Sequence, residues 1–484
     1  MSDRPGSDSD SQQLSMAPLW TWAELCTACG LGTAPGPAIH GICIDSRQVI
    51  KGDLFIALAG DPGPRFSTSG EVGRDGHEFI GSAVAAGASG LMVVPARLTE
   101  AQDVPQLQVA DTLDGLWQLG RYGRARMSGQ VVGITGSSGK TTARQWLQGL
   151  LGVQAATHAS VGSFNNHWGV PLSLARMPAD SRYGLFEIGM NHPGEIAPLA
   201  SLVNMDVALV LNVLPAHLGS FASIEGIRQE KLSICRGLKS GGTLVVPDDL
   251  DLEGAKAAKI LRFGLGARAD VRGVPAYFPD HTLVDVYVGA RHWQYQLNAG
   301  GEHRVLTSLA SFAVMLALGA DLTLAAAGMA DLGMPRGRGD ETLIHDVSLV
   351  DDSYNANPVS MRYALEALGR SGEQRQKVAI LGEMLELGAA SGTLHQQLQA
   401  ACGPIDGVIT VGEGFRVWDQ AQLGNRFWGH YASADDIDLA VLDSRLAPGA
   451  MVLVKGSNRV FWAKGFVSRL KQQLGRRLPA TTRH

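Results

Sequence analysis

Apolar residues in this chain come mostly in short runs. Each run stops at a Gly, Asp, Ser or Pro turn and gives way to a stretch with apolar spacing of three and four. That alternation predicts short buried strands in turn with amphipathic helices. In the first segment, strands are expected at residues 42–44, 54–58 and 91–94. Helices are expected at 79–88 and 112–126, the latter from Leu113, Leu116, Trp117 and Leu119. Residues 61–76 are rich in Gly, Pro and Ser and read as a loop.

The pattern then repeats. A strand at 130–134 runs into a Gly-rich turn and a helix at 141–151. Strands follow near 183–188, 207–211 and 243–246, with helical stretches between them, including 224–238. This is the signature of a parallel sheet with crossover helices. An alternating run at 281–288 predicts a small hairpin. Residues 305–324 form the longest apolar helix candidate, punctuated by Ser308, Ser311, Gly319 and Asp321, and read as a buried core helix rather than a membrane span. After Pro335-Arg336-Gly337-Arg338-Gly339, strands are expected at 348–351, 378–381, 407–411 and 451–454, with helices at 360–368 and 394–401. The fold class is therefore α/β, with three domains at 19–127, 128–336 and 337–484.

Composition narrows the function. The 41 basic and 46 acidic residues leave a formal charge of -5, with no basic excess to draw a nucleic-acid backbone. The first 15 residues are polar and lack the apolar core of a secretory signal, so a frayed start is expected. Cys26 and Cys29 form a lone C-x-x-C among five scattered cysteines; without further ligands nearby they read as small residues in a helix turn.

The sharpest chemical signal is Ile134-Thr-Gly136-Ser137-Ser138-Gly139-Lys140-Thr141. Glycines let the backbone wrap a phosphate, and the helix N-terminus adds positive potential. Lys140 is placed to reach the outer phosphates and Thr141 to put its hydroxyl on magnesium. The usual phosphate loop has glycine where this chain has Ile134; the nearest is Gly133, so the loop is a tighter variant. Glu187 ends an apolar strand in the same segment, where a carboxylate is suited to Mg²⁺ or its bound water. Asn165-Asn166 forms a polar loop, and Asn212 and His217 follow the 207–211 strand. Lys231, in a helical stretch, reads by composition as part of a solvated face.

Taken together these motifs resemble the Mur ligase family along nearly the whole chain. Residues 135–141 look like its ATP loop. Glu187, His217 and Lys231 match its magnesium glutamate, its active-site histidine and its carbamoylated lysine. Asp45-Ser46-Arg47, Gly52-Asp53-Leu54-Phe55 and Asp75-Gly76-His77-Glu78-Phe79 look like an amino-terminal domain shared by two branches of the family. Asn165-Asn166-His167-Trp168-Gly169-Val170-Pro171, the segment 187–196 and above all Asp351-Asp352-Ser353-Tyr354-Asn355-Ala356-Asn357-Pro358 are similar to the branch that adds D-alanyl-D-alanine. The D-N-P-R motif of the diaminopimelate adders is absent from the sequence. Gly382 to Gly388 and Val454-Lys455-Gly456-Ser457 match further family segments. Two departures stand out. The family's His-Asn-x-x-Asn reads His303-Arg304-Val305-Leu306-Thr307 here, so only His303 carries over, and the 61–74 loop is longer than the family suggests.

The resemblance implies a central phosphate-loop ATPase domain, a Rossmann-like C-terminal domain and a first domain for the UDP part of the substrate. It implies ATP-dependent joining of D-alanyl-D-alanine to UDP-N-acetylmuramoyl tripeptide through an acyl-phosphate. ATP would be held by residues 136–141 with Thr142, His303, Arg338 and Asp352. Two Mg²⁺ ions would be held, one by Thr141 and Glu187, the other by His217 and carbamoylated Lys231. Substrate would meet Asp45, Ser46, Arg47, Asn165, Asn166, Asn355, Asn357 and Lys455. A cytoplasmic monomer is expected, with no nucleic-acid partner and no membrane span. Two alternatives stay open at this point: another amide ligase on the same scaffold, such as a third-residue adder or a folyl-polyglutamate-type enzyme, and an ATP-binding regulatory or scaffold protein that forms no amide.

Overall fold

The computed structural model describes residues 17–61, 74–98, 100, 103–215, 219–221, 223–278, 281–298, 300–372 and 375–477. The polar start, most of the 61–74 loop and His217 lie outside them. The chain has a three-domain α/β architecture, and its residues fall into two compact units.

The first unit comprises Met1–Gly129, His158–Phe186 and Leu202–Asn204. Its four parallel strands, Gly41–Cys43, Asp53–Ile56, Gly90–Val93 and Gln106–Gln108, pair in chain order. The helix Thr112–Arg126 starts at Asp111, whose side chain accepts from the N–H groups of Leu113 and Asp114. It packs on the helix Gly169–Ala175 through two glycines. A Cβ on Gly123 would stand 2.6 Å from Leu174 O, and one on Gly120 3.0 Å from the Pro171 backbone. Cys26 and Cys29 are buried in the apolar core beside Trp20 and Leu25, as small residues of a helix turn. Burial pushes the Cys29 thiol up to about 12.

The second unit comprises Gln130–Thr157, Glu187–Ser201 and Met205–His484. The strand Gln130–Thr135 pairs in parallel with Met205–Val210, which pairs with Leu238–Pro247, then Lys259–Gly264. Val271–Tyr277, Thr282–Val288 and Arg291–Leu297 extend this run as an antiparallel meander, where a single hairpin was expected. The expected 305–324 helix is two helices. Glu302–Leu318 ends at Gly319, whose φ of +69° is open to glycine at little cost, and Asp321 caps a new helix, Leu322–Gly328. The expected 224–238 helix also stops early: Ile224–Leu232 tightens into a 3₁₀ turn, and a strand begins at Leu238.

A third sheet has strand order Asp340–Ile344, Val347–Asp352, Met451–Lys455, Lys377–Gly382, Gly407–Val411, Phe427–Tyr431. Its first pair is antiparallel and the rest are parallel. Met451–Lys455, last of these in the chain, lies in the middle and is wholly buried. The carboxyl ends of these strands gather Asp352, Glu383 and Lys455, the position where open α/β sheets bind ligands.

Candidate active site

The strand Gln130–Thr135 ends in residues 136–139, and the helix Lys140–Gly152 begins at once. Gly139 turns the chain with φ +82°. Lys140 folds over the loop, donating from Nζ to Gly136 O at 2.8 Å. Burial lowers its ammonium to about 8; nearby Glu187 opposes that shift and Arg338 adds to it. Thr141 and Thr142 occupy the first helical turn and are buried.

Glu187, the last residue of the strand Tyr183–Glu187, is fully buried. Its Oε2 accepts from the Thr141 hydroxyl at 3.1 Å and its Oε1 from Arg144 Nε at 3.0 Å. The two hard oxygens of Thr141 and Glu187 fit a magnesium ion. Adjacent ligands of an octahedral ion, each at about 2.1 Å, stand about 3 Å apart. Among the described residues there is no cluster of three or more His, Cys, Asp or Glu able to hold a metal.

Lys231 is not on a solvated face. It is 2% exposed at the end of Ile224–Leu232. Burial, with the like charge of Lys140, holds its ammonium well below the usual lysine range. Nearby, both carboxylate oxygens of Glu230 accept N–H groups, from Gly194 and Ile196 at 2.8 Å each.

On the C-terminal side, Lys455 Nζ donates to Asp352 Oδ2 at 2.7 Å and to Asn355 O at 3.1 Å. Arg338 lies over the Tyr354 ring at 4.3 Å, and the charges of Glu187 and Asp352 both act on its half-buried guanidinium. His303 stacks on Tyr363 with ring centroids 5.7 Å apart, and burial drops its imidazole to about 3. Arg304 donates to Gly339 O at 3.2 Å, and the Thr307 hydroxyl turns back to His303 O. Asn357 caps the helix Pro358–Arg370, accepting from Ser360 N at 2.9 Å, while Asn355 is exposed and accepts from Ala356 N.

In the first unit, Asp45 grips its neighbour Arg47 through Nε at 2.9 Å and Nη2 at 2.7 Å, and that guanidinium holds its carboxyl below the ordinary range. Ser46 opens the same 3₁₀ turn. Asn166 accepts from Gly169 N at 2.9 Å, and its neighbour Asn165 is half-buried.

The structure thus brings Lys140, Thr141, Glu187 and Arg338 to one place. Arg144 escaped the sequence reading, although it sits three residues after Thr141 and so on the same helix face. Asn212, noted in sequence only for following a strand, turns out to bind the phosphate loop.

A strand, a glycine turn and a lysine-threonine helix start, set against a buried carboxylate, define a phosphate-loop nucleotide-binding enzyme. Residues 134–315 match the Mur ligase middle domain, and residues 339–458 match the domain described as Mur ligase, glutamate ligase domain. The chain belongs to the Mur ligase family. It is 32% identical to the UDP-N-acetylmuramoyl-tripeptide--D-alanyl-D-alanine ligase of Escherichia coli, over 87% of this chain and 91% of that one. It is 31% identical to the Bacillus subtilis protein of the same name, over 87% and 90%. A solved MurF structure from Acinetobacter baumannii superposes with a TM-score of 0.79 at 30% identity, covering 94% of this chain and 99% of that one.

Proposed function

We propose that this enzyme phosphorylates the terminal carboxylate of UDP-N-acetylmuramoyl tripeptide with ATP and that the amino group of D-alanyl-D-alanine then displaces the phosphate. The products are the pentapeptide amide, ADP and phosphate. The observation that carries this reading is the near-full-length similarity to relatives named for this addition. The site's chemistry agrees, because phosphoryl transfer asks mainly for positioning and charge neutralisation.

In this reading Lys140 and the first turn of its helix receive the phosphates, with Gly136, Ser137, Ser138 and Gly139 shaping the loop. Thr141 and Glu187 hold one magnesium ion, and bound magnesium supplies neutralising charge to the phosphoryl oxygens. The Lys231 amine adds to CO₂ and releases a proton to give a carbamate, which with His217 would hold a second ion. A deeply buried lysine whose ammonium is held well below the usual lysine range supports this, since only the neutral amine attacks CO₂. His303, Arg338 and Asp352 act on the nucleotide, and Asn355, Asn357 and Lys455 on the dipeptide. Asp45, Ser46, Arg47, Asn165 and Asn166 act on the UDP-muramoyl substrate. Residues 19–127, 128–336 and 337–484 serve as the UDP-substrate, ATP and dipeptide domains. None of the described helices is long and apolar enough to cross a membrane; we place the enzyme in the cytoplasm, as a monomer, where ATP and UDP-linked substrates are at hand.

The test offers UDP-muramoyl dipeptide and tripeptide in parallel, each with D-Ala-D-Ala, D-Ala, L-Lys, diaminopimelate or L-Glu. ADP release and product mass are read for every pair. The tripeptide with D-Ala-D-Ala is the expected productive pair. Turnover confined to the dipeptide with lysine or diaminopimelate would overturn the reading.

A further inference from the structure

The phosphate loop is fastened to the segment after the strand Met205–Val210. Ser137 N–H donates to Asn212 Oδ1 at 3.0 Å, and Ser138 N–H donates to the same oxygen at 3.0 Å. Asn212 Nδ2 returns a bond to Ser138 O at 3.2 Å, and the Asn212 backbone oxygen accepts from Ser137 N at 3.3 Å. The Ser137 hydroxyl joins this fastening, donating to Leu214 O and accepting from Leu214 N, both at 2.9 Å. The two segments touch so closely that a Cβ on Gly136 would stand 2.9 Å from Leu211 Cβ.

Turn amides are the natural anion donors of such a loop. Here two of them already face a neutral side-chain oxygen. A phosphate would then be met by the first turn of Lys140–Gly152, whose leading N–H groups have no acceptor within the helix, and by the Lys140 ammonium. A phosphate oxygen can replace Asn212 Oδ1 as an acceptor. It has no N–H with which to satisfy Ser138 O. Nor is the backbone free to withdraw, because Leu211 N donates to Thr135 O at 2.9 Å and extends the buried strand pairing.

We infer that Asn212 is a positioning residue for phosphoryl transfer: it holds the loop in its phosphate-receiving shape before nucleotide binds, and it stays on Ser137 and Ser138 afterwards. This rests on the reading of residues 136–141 as the ATP site. Asn is suited to the task because one side chain supplies both the acceptor for two N–H groups and the donor for a carbonyl.

Calorimetry of the parent protein with ADP and ATP comes first, since it needs no acceptor substrate. A parent that binds neither nucleotide overturns the ATP-site reading and this inference together. With binding in hand, Asn212→Ala is expected to weaken ADP and ATP by about tenfold, the size of a lost buried hydrogen bond or more. KM for ATP rises in step, while KM for the muramoyl peptide and the dipeptide changes by less than about threefold. Asn212→Asp sets a carboxylate against Ser138 O and near the phosphates, and weakens both nucleotides further. The deciding observation needs no variant: a structure of the parent with ADP, expected to keep Asn212 Oδ1 bonded to both serine N–H groups. Phosphate oxygens on those N–H groups with Asn212 turned away would overturn the inference and leave the ATP site standing. So would an Asn212→Ala protein that binds ADP as the parent does.

Discussion

Arg144 Nε stands 3.0 Å from Oε1 of Glu187, with the carboxylate fully buried and the guanidinium 8% exposed. Thr141 holds the other carboxylate oxygen, so Glu187 is fixed at both ends. A buried carboxylate that loses its cation is costly. Arg144→Ala is expected to lower the unfolding free energy by about 3 kcal/mol, read by urea denaturation. Arg144→Lys should lose less, because it keeps the charge while giving up the planar fork. Magnesium with ATP should recover more stability in Arg144→Ala than in the parent, as the ion takes over the neutralising charge. Equal gains in both proteins would count against magnesium at Glu187.

Lys140 predicts a pH dependence whose sign follows from its depressed value. With a pKa of about 8 in the folded protein, it is charged below that pH and neutral above it. A bound phosphate favours the charged form. Affinity for ADP should therefore fall as pH rises through about 8, and binding in that region should take up protons, measurable by calorimetry in buffers of different ionisation enthalpy. The stability term has its own sign. Between 8 and the ordinary 10.5 the unfolded chain binds a proton that the folded chain lacks, so Lys140's contribution to stability rises with pH across that window. Lys140→Arg should flatten the ADP profile, and Lys140→Ala should cost the reaction about 3–4 kcal/mol in rate.

Lys231 offers a direct chemical readout. Protein equilibrated with ¹³C-bicarbonate should show a carbamate carbon signal that Lys231→Ala lacks. The variant should be nearly inactive and partly restored by short carboxylic acids, which supply the missing oxygens. An unmodified amine in the active magnesium-bound enzyme would rule the carbamate out.

Two glycines should respond in opposite directions to the same change. Gly123→Ala drives a methyl to 2.6 Å from Leu174 O between two packed helices, and should cost about 2 kcal/mol in thermal or urea unfolding. Gly81→Ala adds a methyl in open space within the helix Ile80–Ala85, and should stabilise by about 0.5 kcal/mol.

Much of the site's scaffold is legible in the sequence. The strand and helix around the phosphate loop were expected at 130–134 and 141–151 and are found at Gln130–Thr135 and Lys140–Gly152. Thr112–Arg126 and Gly407–Val411 match the expected bounds. In these stretches apolar period, glycine turns and capping residues agree, so local preference and global fold ask for the same thing. Where they conflict, the reading failed. The punctuated apolar run at 305–324 reads as one helix, yet Gly319 and Asp321 end one helix and start another.

Sequence by itself determined the alternation of strand and helix, the phosphate loop and the order of its chemistry, because those depend on residues a few positions apart. Tertiary structure decided what depends on distant partners. It placed Met451–Lys455 in the middle of its sheet, bringing Lys455 to Asp352 across 103 residues of chain. It buried Lys231, which composition had assigned to water, and burial holds that ammonium well below the usual lysine range. It joined Arg144 to Glu187 and Asn212 to Ser137 and Ser138. Burial and hydrogen-bond partnership are properties of packed neighbours, and which neighbours meet is fixed only when the sheets choose their strand order.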